Sequence, residues 1–534
     1  MTSMWANHKI RKDLLWIAAV GLAIQAYWAL RITHPTYFDA YYYTVNGQQL
    51  ASGNGFTGRI IWQYLDDPAG LPTPSHTYWM PLASMIAAAG FKVTGSFRGA
   101  QFSFWLMAGF LPWLSYAISW RLSPQRWQAR TAALFTAAGG YYTAYWVQPT
   151  TFVLFAWTGG GGLLTLALAL ERRSAFYWFL AGLAAGLSHL TRADGILLAA
   201  VGAWVWLLDL RRTKAARSSG NAPGFGLRRR AADLAVFMAG YLLVMSGWFW
   251  RTWLVTGQPL STVGAQTMFL TTYNDVFAFG RHFDLAGYLA WGWQNILLSK
   301  LEAVWLALQS FVGVTGLTVF TLFFVWAWIS YGRRSETRMF LRPFTWYALA
   351  LYGSMSLIFT FPGQRGSLLH SSTALWPWSM ALAAAGIGLA VEWAAARLPH
   401  WQPQRAKVLF SAMFVAVVYI ISMAVSLRQP LRQEEAAAYR EISAMLPPDV
   451  VVMSGNPPGF TYHTGLASIA VPYEPLDVVA QAAKRYGARY LFLDVDRPPP
   501  LADLYDGKVQ SPQVRLVRSL GDGFKLYEFV SSSE

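Results

Sequence analysis

Apolar stretches of about 20 residues recur roughly eleven times between Leu14 and Leu427. In lipid every backbone N–H and C=O must be satisfied within the segment, so such stretches have to be helices. The reading is an all-α polytopic membrane protein of about 11 transmembrane helices. Composition agrees: 13% of the 534 residues are charged and 55% are hydrophobic, where a soluble domain carries about a quarter charged residues. In a soluble chain the net charge of +16 would point to nucleic acid. Here the basic residues cluster between apolar stretches, at His8–Lys12, Arg121–Arg130, Arg172–Arg173, Arg211–Arg230, Arg333–Arg342 and Arg397–Lys407. That pattern is an orientation signal, with these segments cytoplasmic, and no nucleic-acid partner is expected. With no cysteine, disulfides and thiolate metal sites are excluded. Lys9, Arg11 and Lys12 precede the first stretch and no small-residue cleavage site closes it, so the first span is expected to be retained.

The charge alternation predicts a topology with the N-terminus inside. Span one is Leu14–Leu30, followed by an outer loop over 32–98. Within that loop Tyr78–Val93 is too short to cross and is read as an interfacial or re-entrant helix. Spans two to seven are Gly99–Trp120, Thr131–Val147, Thr151–Leu170, Phe176–Leu190, Gly195–Leu208 and Ala232–Trp250. A second outer segment runs from Arg251 to about Ser310, and its "AGYLAWGWQNILLSKLEAVWLAL" is read as a helix on or dipping into the surface. Spans eight to eleven are Val312–Ile329, Phe344–Phe361, Ser371–Ala394 and Val408–Val425.

Composition shifts near Leu427, dividing a transmembrane domain, 1–427, from a soluble-type domain, 428–534. "DVVVMSG" and "ARYLFLDV" read as strands and "EEAAAYREISAML" and "PLDVVAQAAKRYG" as helices. "VRLVRSLGDGFKLYEFV" reads as a hairpin turning on Gly-Asp-Gly. The expectation is a small C-terminal extracytoplasmic α/β domain without a catalytic constellation.

"HPTYFDAYYYTVNGQQLASGNGF", from His34 to Phe56, follows the first span. Its single acid, Asp39, opens a helical pattern that closes at Gly53. A helix N-cap explains such an acid without any chemistry. The rest of the loop adds Arg59, Asp66, Asp67 and His76 among aromatics and prolines, and a long loop of this kind is usually functional or disordered.

The order of these segments resembles the GT-C superfamily of membrane glycosyltransferases that use polyprenyl-phosphate sugars. It is most similar to the group of protein O-mannosyltransferases and lipid A aminoarabinose transferases. The resemblance rests on "FDAYYYTVNGQQLASGNGF", "PTPSHTYWMPL", "GLAAGLSHLTRADGILL" and "SGWFWRTWLVTGQPL". It implies that Asp39 is the catalytic base, taking the acceptor hydroxyl's proton as that oxygen attacks the anomeric carbon with inversion. Relatives often carry Asp-Glu where this chain has Asp39-Ala40. It implies a cationic site for the departing phosphate, with Arg192, Arg251, Arg365 and His370 as candidates on the outer side. Arg192 also has the plainer reading of a partner for Asp194. Tyr42, Tyr43, Ser75 and His76 are the expected substrate-binding residues. Some relatives carry a second acid in the next outer loop. Here Gln148, Thr150 and Thr151 stand there with no carboxylate, so no cofactor is expected. A divalent metal is the other option, with Asp66 and Asp67 as weak ligand candidates.

The function expected is an inverting glycosyltransferase of the plasma membrane, with the C-terminal domain extracytoplasmic. Its partners are a polyprenyl-phosphate-sugar donor, membrane lipid, and a protein, glycolipid or glycan acceptor. Two alternatives stay open. One is a catalytically inactive GT-C-like scaffold or assembly subunit, which Ala40 and the missing second acid favour. The other is a transporter or flippase, for which Glu302 and Glu392 are few charges.

Overall fold

Helices occupy the apolar stretches, and where they stop short the backbone shows why. A computed structural model describes residues 7–218, 227–429 and 433–530. Residues 219–226 of the Arg211–Arg230 cluster lie outside the described residues. Among the described residues, eight helices are long and apolar enough to cross a membrane, or nine if one bent pair is a single span. This is a multi-pass membrane protein. Seven expected spans have such a helix: His8–Arg31, Phe97–Leu122, Thr151–Arg172, Ala193–Arg211, Arg228–Thr256, Trp376–Ala395 and Pro403–Leu427. Expected span nine is the bent pair, Ser335–Leu357 and Thr360–Ala374, turning through 110°.

Three expected spans are shorter than a bilayer crossing usually needs. The helix at span three is Arg126–Ala138, 13 residues, and it ends where Gly139 turns left-handed at φ 77°. Span five is Ala175–Thr191, 17 residues. Span eight is corrected. Leu317 and Thr318 sit at φ 49° and 58°, outside helical space, so the helix there is only Phe320–Arg333. The segment before it, read as a surface helix, is instead long and apolar enough to cross, as Trp293–Thr315. Leu82–Thr94 is a short apolar helix of 13 residues, in keeping with an interfacial reading.

The chain divides into two compact units. The first takes Met1–Arg31, Gln101–Arg251 and Leu298–Gln429, and holds most of the apolar helices. Its helices pack closely through small residues. A Cβ on Gly159 would meet the Ala374 Cβ at 2.6 Å, and one on Gly160 the Ala374 carbonyl oxygen at 3.0 Å. Only glycines let the bent segment lie this close to Thr151–Arg172. At the start of the first helix the Asp13 carboxylate, 1% exposed, takes Arg126 at 2.8 Å, Arg130 at 2.5 Å and the Tyr116 hydroxyl at 3.1 Å.

The second unit takes Ile32–Ala100, Thr252–Leu297 and Pro430–Glu534. In it are two small antiparallel strands, β1 (Thr57–Gly58) and β3 (Thr73–Pro74), and a six-stranded sheet. The sheet comprises β2 (Ile60–Ile61), β4 (Val451–Ser454), β5 (Ala467–Ala470), β6 (Ala488–Leu493), β7 (Val514–Leu520) and β8 (Phe524–Phe529), in the order β2-β5-β4-β6-β8-β7. The strands β2, β5, β4 and β6 are parallel, and the β7–β8 hairpin closes one side antiparallel. Thus the loop over 32–98 lends a strand to the C-terminal sheet, with Ile60 opposite Ser468 and Ile61 opposite Ile469. The second outer segment is fastened to the same unit. Gln266 donates to the Leu65 carbonyl at 2.7 Å, and Arg281 meets Glu474 at 3.3 Å. The helices Gln433–Ser443, Pro457–Thr464 and Leu476–Tyr486 flank the sheet, the last stopped by left-handed Gly487 at φ 69°.

Candidate functional site

Asp39 lies in the first turn of the helix Phe38–Ala51, whose N-cap is Tyr37. The N-cap reading of the acid is therefore corrected: Asp39 is the second helical residue, at the positive end of the helix dipole. It is half-buried. Residues three and four positions on share its face, and these are Tyr42 and Tyr43. Both rings are closed in, Tyr42 4% and Tyr43 2% exposed. They form a wall on the acid's face of the helix and present no free stacking surface. Each touches Trp79, with ring centroids 4.9 and 5.9 Å away, and His76, at 5.3 and 6.2 Å. Trp62 stacks on Trp79 at 4.2 Å, and Phe38 meets both edge-on.

The loop that carries His76 is drawn onto this wall by hydrogen bonds. The His76 backbone N–H donates to the Tyr42 hydroxyl at 2.9 Å, and its Nδ1 meets the Trp79 carbonyl at 3.1 Å. His76 itself is buried and sits at φ 59°, a strained conformation of the kind that clusters at functional sites. Ser75 is buried beside it, its N–H on the Phe56 carbonyl at 2.9 Å. Trp79, Tyr78 and Phe38 remain half-buried, leaving part of their rings accessible.

Asp66 and Asp67 turn to separate partners. Asp66 accepts from Gln63 at 2.7 Å and Thr77 at 2.5 Å. Burial holds its carboxyl above the usual range, against the pull of those bonds. Asp67 is exposed and pairs with Arg485 at 2.7 Å. Among the described residues no group of three or more His, Asp or Glu side chains is placed to hold a metal ion, and this pair does not fit one.

The four candidate cations belong to the first unit. Arg192 is held in a fork: Nε and Nη2 donate to Asp194 at 3.0 and 3.2 Å, and Nε also reaches Ser371 at 3.0 Å. The Ser371 hydroxyl donates to the same Asp194 carboxylate. Arg192 Nη1 lies 3.4 Å from the Thr151 hydroxyl, which meets His370 Nδ1 at 2.8 Å. His370 is buried and stacks on Phe152 at 3.8 Å. So Arg192 and His370 come together through Thr151. Arg251 is half-buried, its guanidinium 4.8 Å from the Trp248 ring. Arg365 is exposed in the π-helical turn Gly363–Ser367 beside the 110° bend.

Sequence reasoning missed Thr151 and Ser371 as members of this network, and Tyr41 and His463 of the second unit, described below. The first two stand 41 and 179 residues from Arg192, and no local pattern signals such pairs.

No protein-family model and no curated protein sequence matches the chain. Solved structures do. ArnT from Cupriavidus metallidurans bound to undecaprenyl phosphate superposes with a TM-score of 0.55 at 14% identity, covering 97% of this chain and 98% of that one. The same protein in the apo state gives 0.57 at 13% identity with the same coverage. Arabinofuranosyltransferase AftD from Mycobacteria gives 0.47 at 14%, over 97% of this chain and 41% of that one. The chain therefore has the fold of ArnT over nearly the full length of both.

Proposed function

We propose that this protein is an inverting glycosyltransferase that moves one sugar from a polyprenyl-phosphate donor to a hydroxyl acceptor on the outer face of the plasma membrane. The observation that carries the reading is a half-buried acid in the first helical turn after the first span, in a chain whose fold is that of a protein solved with undecaprenyl phosphate. Asp39 accepts the acceptor's proton as the new C–O bond forms and the bond to the donor phosphate breaks on the opposite face. A positioned base of this kind contributes about 10²–10⁴-fold. The leaving phosphate gains negative charge, and Arg192, Arg251, Arg365 and His370 supply the compensating field. Arg365 is exposed, whereas Arg192 and Arg251 are half-buried. Half-buried Trp79, Tyr78 and Phe38 offer the apolar ring faces a sugar stacks on, while Tyr42, Tyr43, Ser75 and His76 set the wall behind. The proposed chemistry uses no resident metal, because Asp66 and Asp67 are engaged with separate partners.

The orientation is part of the proposal: the N-terminus inside and the region beyond Leu427 outside. The basic clusters support it. The test uses the full chain in lipid nanodiscs with radiolabelled polyprenyl-phosphate sugars and envelope extract as acceptor. Label passing to an acceptor, with inverted anomeric configuration, is the expected result. A folded protein that transfers from no donor would sink the enzyme reading and leave the scaffold or transporter.

A further inference from the structure

The helix that carries Asp39 meets the C-terminal segment at a buried polar contact. Tyr41, one residue before the aromatic wall and wholly buried, sends its hydroxyl between two imidazoles. It lies 3.0 Å from His463 Nε2, on the helix Pro457–Thr464, and 3.4 Å from His34 Nδ1. The proton order follows from the neighbours. His34 Nδ1 also faces the Pro35 carbonyl at 2.8 Å, and a carbonyl only accepts, so His34 Nδ1 carries the proton. Tyr41 then accepts from His34 and donates to His463 Nε2, which must be unprotonated.

The surroundings of His463 come from every element packed on it. Tyr462 lies beside it on its own helix, and Tyr41 packs against both rings, at 5.5 and 5.4 Å. His34 is 5.5 Å away, ring to ring. The helix Gln433–Ser443 brings Tyr439, with its ring 6.0 Å off, together with Glu435 and Arg440. Glu435 is already shared, accepting from Tyr439 at 2.6 Å and Asn456 at 2.7 Å. From the sheet edge Arg59 donates to the Gly465 carbonyl at 3.1 Å, just past the helix end. His34 and Arg440 thus stand near His463 against the committed carboxylate of Glu435, while Arg59 pairs with Asp449 at 3.8 Å.

We propose that Tyr41 and His463 are positioning residues for Asp39, and that protonation of His463 loosens the Asp39 helix from the C-terminal domain. The proposal rests on the reading of Asp39 as the base. A proton on Nε2 would point at the Tyr41 oxygen, so the hydroxyl hydrogen must turn away and the oxygen would have to accept from two imidazoles at once, which weakens the link to the domain. A charged His463 also faces the His34 ring, 5.5 Å away. Burial, together with His34 and Arg440, lowers the His463 pKa to about 4, so the link holds at neutral pH and fails in acid.

The test is hydrogen exchange on the full chain in nanodiscs, between pH 7.5 and 3.5, corrected for intrinsic rates. Residues 38–51 are compared with β6 of the same sheet. In the wild type, protection of 38–51 is expected to fall on the order of 10²-fold across the acid range, with β6 lagging. His463→Gln keeps an acceptor for Tyr41 and cannot charge, so it should flatten the profile. Tyr41→Phe removes the donated proton and should move the midpoint upward. A flat wild-type profile, or an equal fall in His463→Gln, would overturn the proposal. If a variant loses β6 protection at neutral pH it has not folded, and the wild-type profile decides. Exchange needs no turnover, so a failure of the enzyme reading is seen separately, as absent transfer. Where transfer is detected, kcat should fall with the same midpoint and KM should stay.

Discussion

The surroundings of Asp39 and those of Arg192 are built on opposite principles. Asp39 stands on a wall of rings, Tyr42, Tyr43, Trp62, Trp79 and His76, held mainly by packing and by backbone bonds such as His76 N–H to Tyr42. Arg192 stands in a mesh of charge and hydroxyl, Asp194, Ser371, Thr151 and His370, in which each group completes its neighbour. The first is a setting of packed rings, with a half-buried acid in the first turn of its helix. The second is close to neutral and satisfied. A base needs the former, whereas a phosphate has to compete with Asp194 for the latter. On the proposed reading, proton transfer falls to Asp39, and Arg192 would both brace the bent segment and lend charge to a leaving group.

The largest stability effect should come from breaking the mesh. Asp194→Ala strands Arg192 and is expected to cost about 3–5 kcal/mol in denaturation of the nanodisc-embedded chain. The double variant Arg192→Gln, Asp194→Asn removes both charges and should recover much of that. If its transfer activity stays low after stability returns, Arg192 serves the phosphate. If activity returns with stability, Arg192 only braces the fold.

Next comes pH. His463 is held neutral, so its contribution is fully present above its ordinary pKa of 6.5, is lost as pH falls toward about 4, and is constant below that. The loss is read as a lower melting temperature at pH 4.5 than at pH 7 that His463→Gln abolishes. In the wall, Trp79→Ala should cost about 2 kcal/mol, less than a fully buried tryptophan because Trp79 is only half-buried. The smallest effect is Tyr42→Phe, which removes the acceptor of the His76 N–H and should cost about 1 kcal/mol. Equal costs for Asp194→Ala and Tyr42→Phe would erase the contrast between the two regions.

What could be read from the sequence was local. The strands "DVVVMSG" and "ARYLFLDV", the hairpin on Gly-Asp-Gly and the helix ended by Gly487 depend on short periods and turn residues, and they stand as β4, β6, β7–β8 and Leu476–Tyr486. Asp39 was read locally as opening a helix and lies in its first turn, although Tyr37 holds the cap. The two-residue strand β2 was not legible, since pairing Ile60–Ile61 with β5, some 400 residues away, is a tertiary event with no periodic trace. The Gly139-Gly140 pair did signal the early stop of the third expected span, and a long apolar run masked it. Left-handed Leu317 and Thr318 carry no such signal, and the break they make moved a crossing upstream to Trp293–Thr315. The Arg192 mesh joins three distant segments, so only its Arg192–Asp194 pair could be read locally.

Transfer from a polyprenyl-phosphate sugar, wild type against Asp39→Asn, with melting temperature and membrane insertion followed on the same samples, tests the central claim most directly. The amide keeps the shape and loses the basicity. The account expects transfer to fall by about 10²–10⁴-fold at unchanged stability. Equal transfer by the two proteins would contradict it, leaving Asp39 as a residue that only settles the end of its helix.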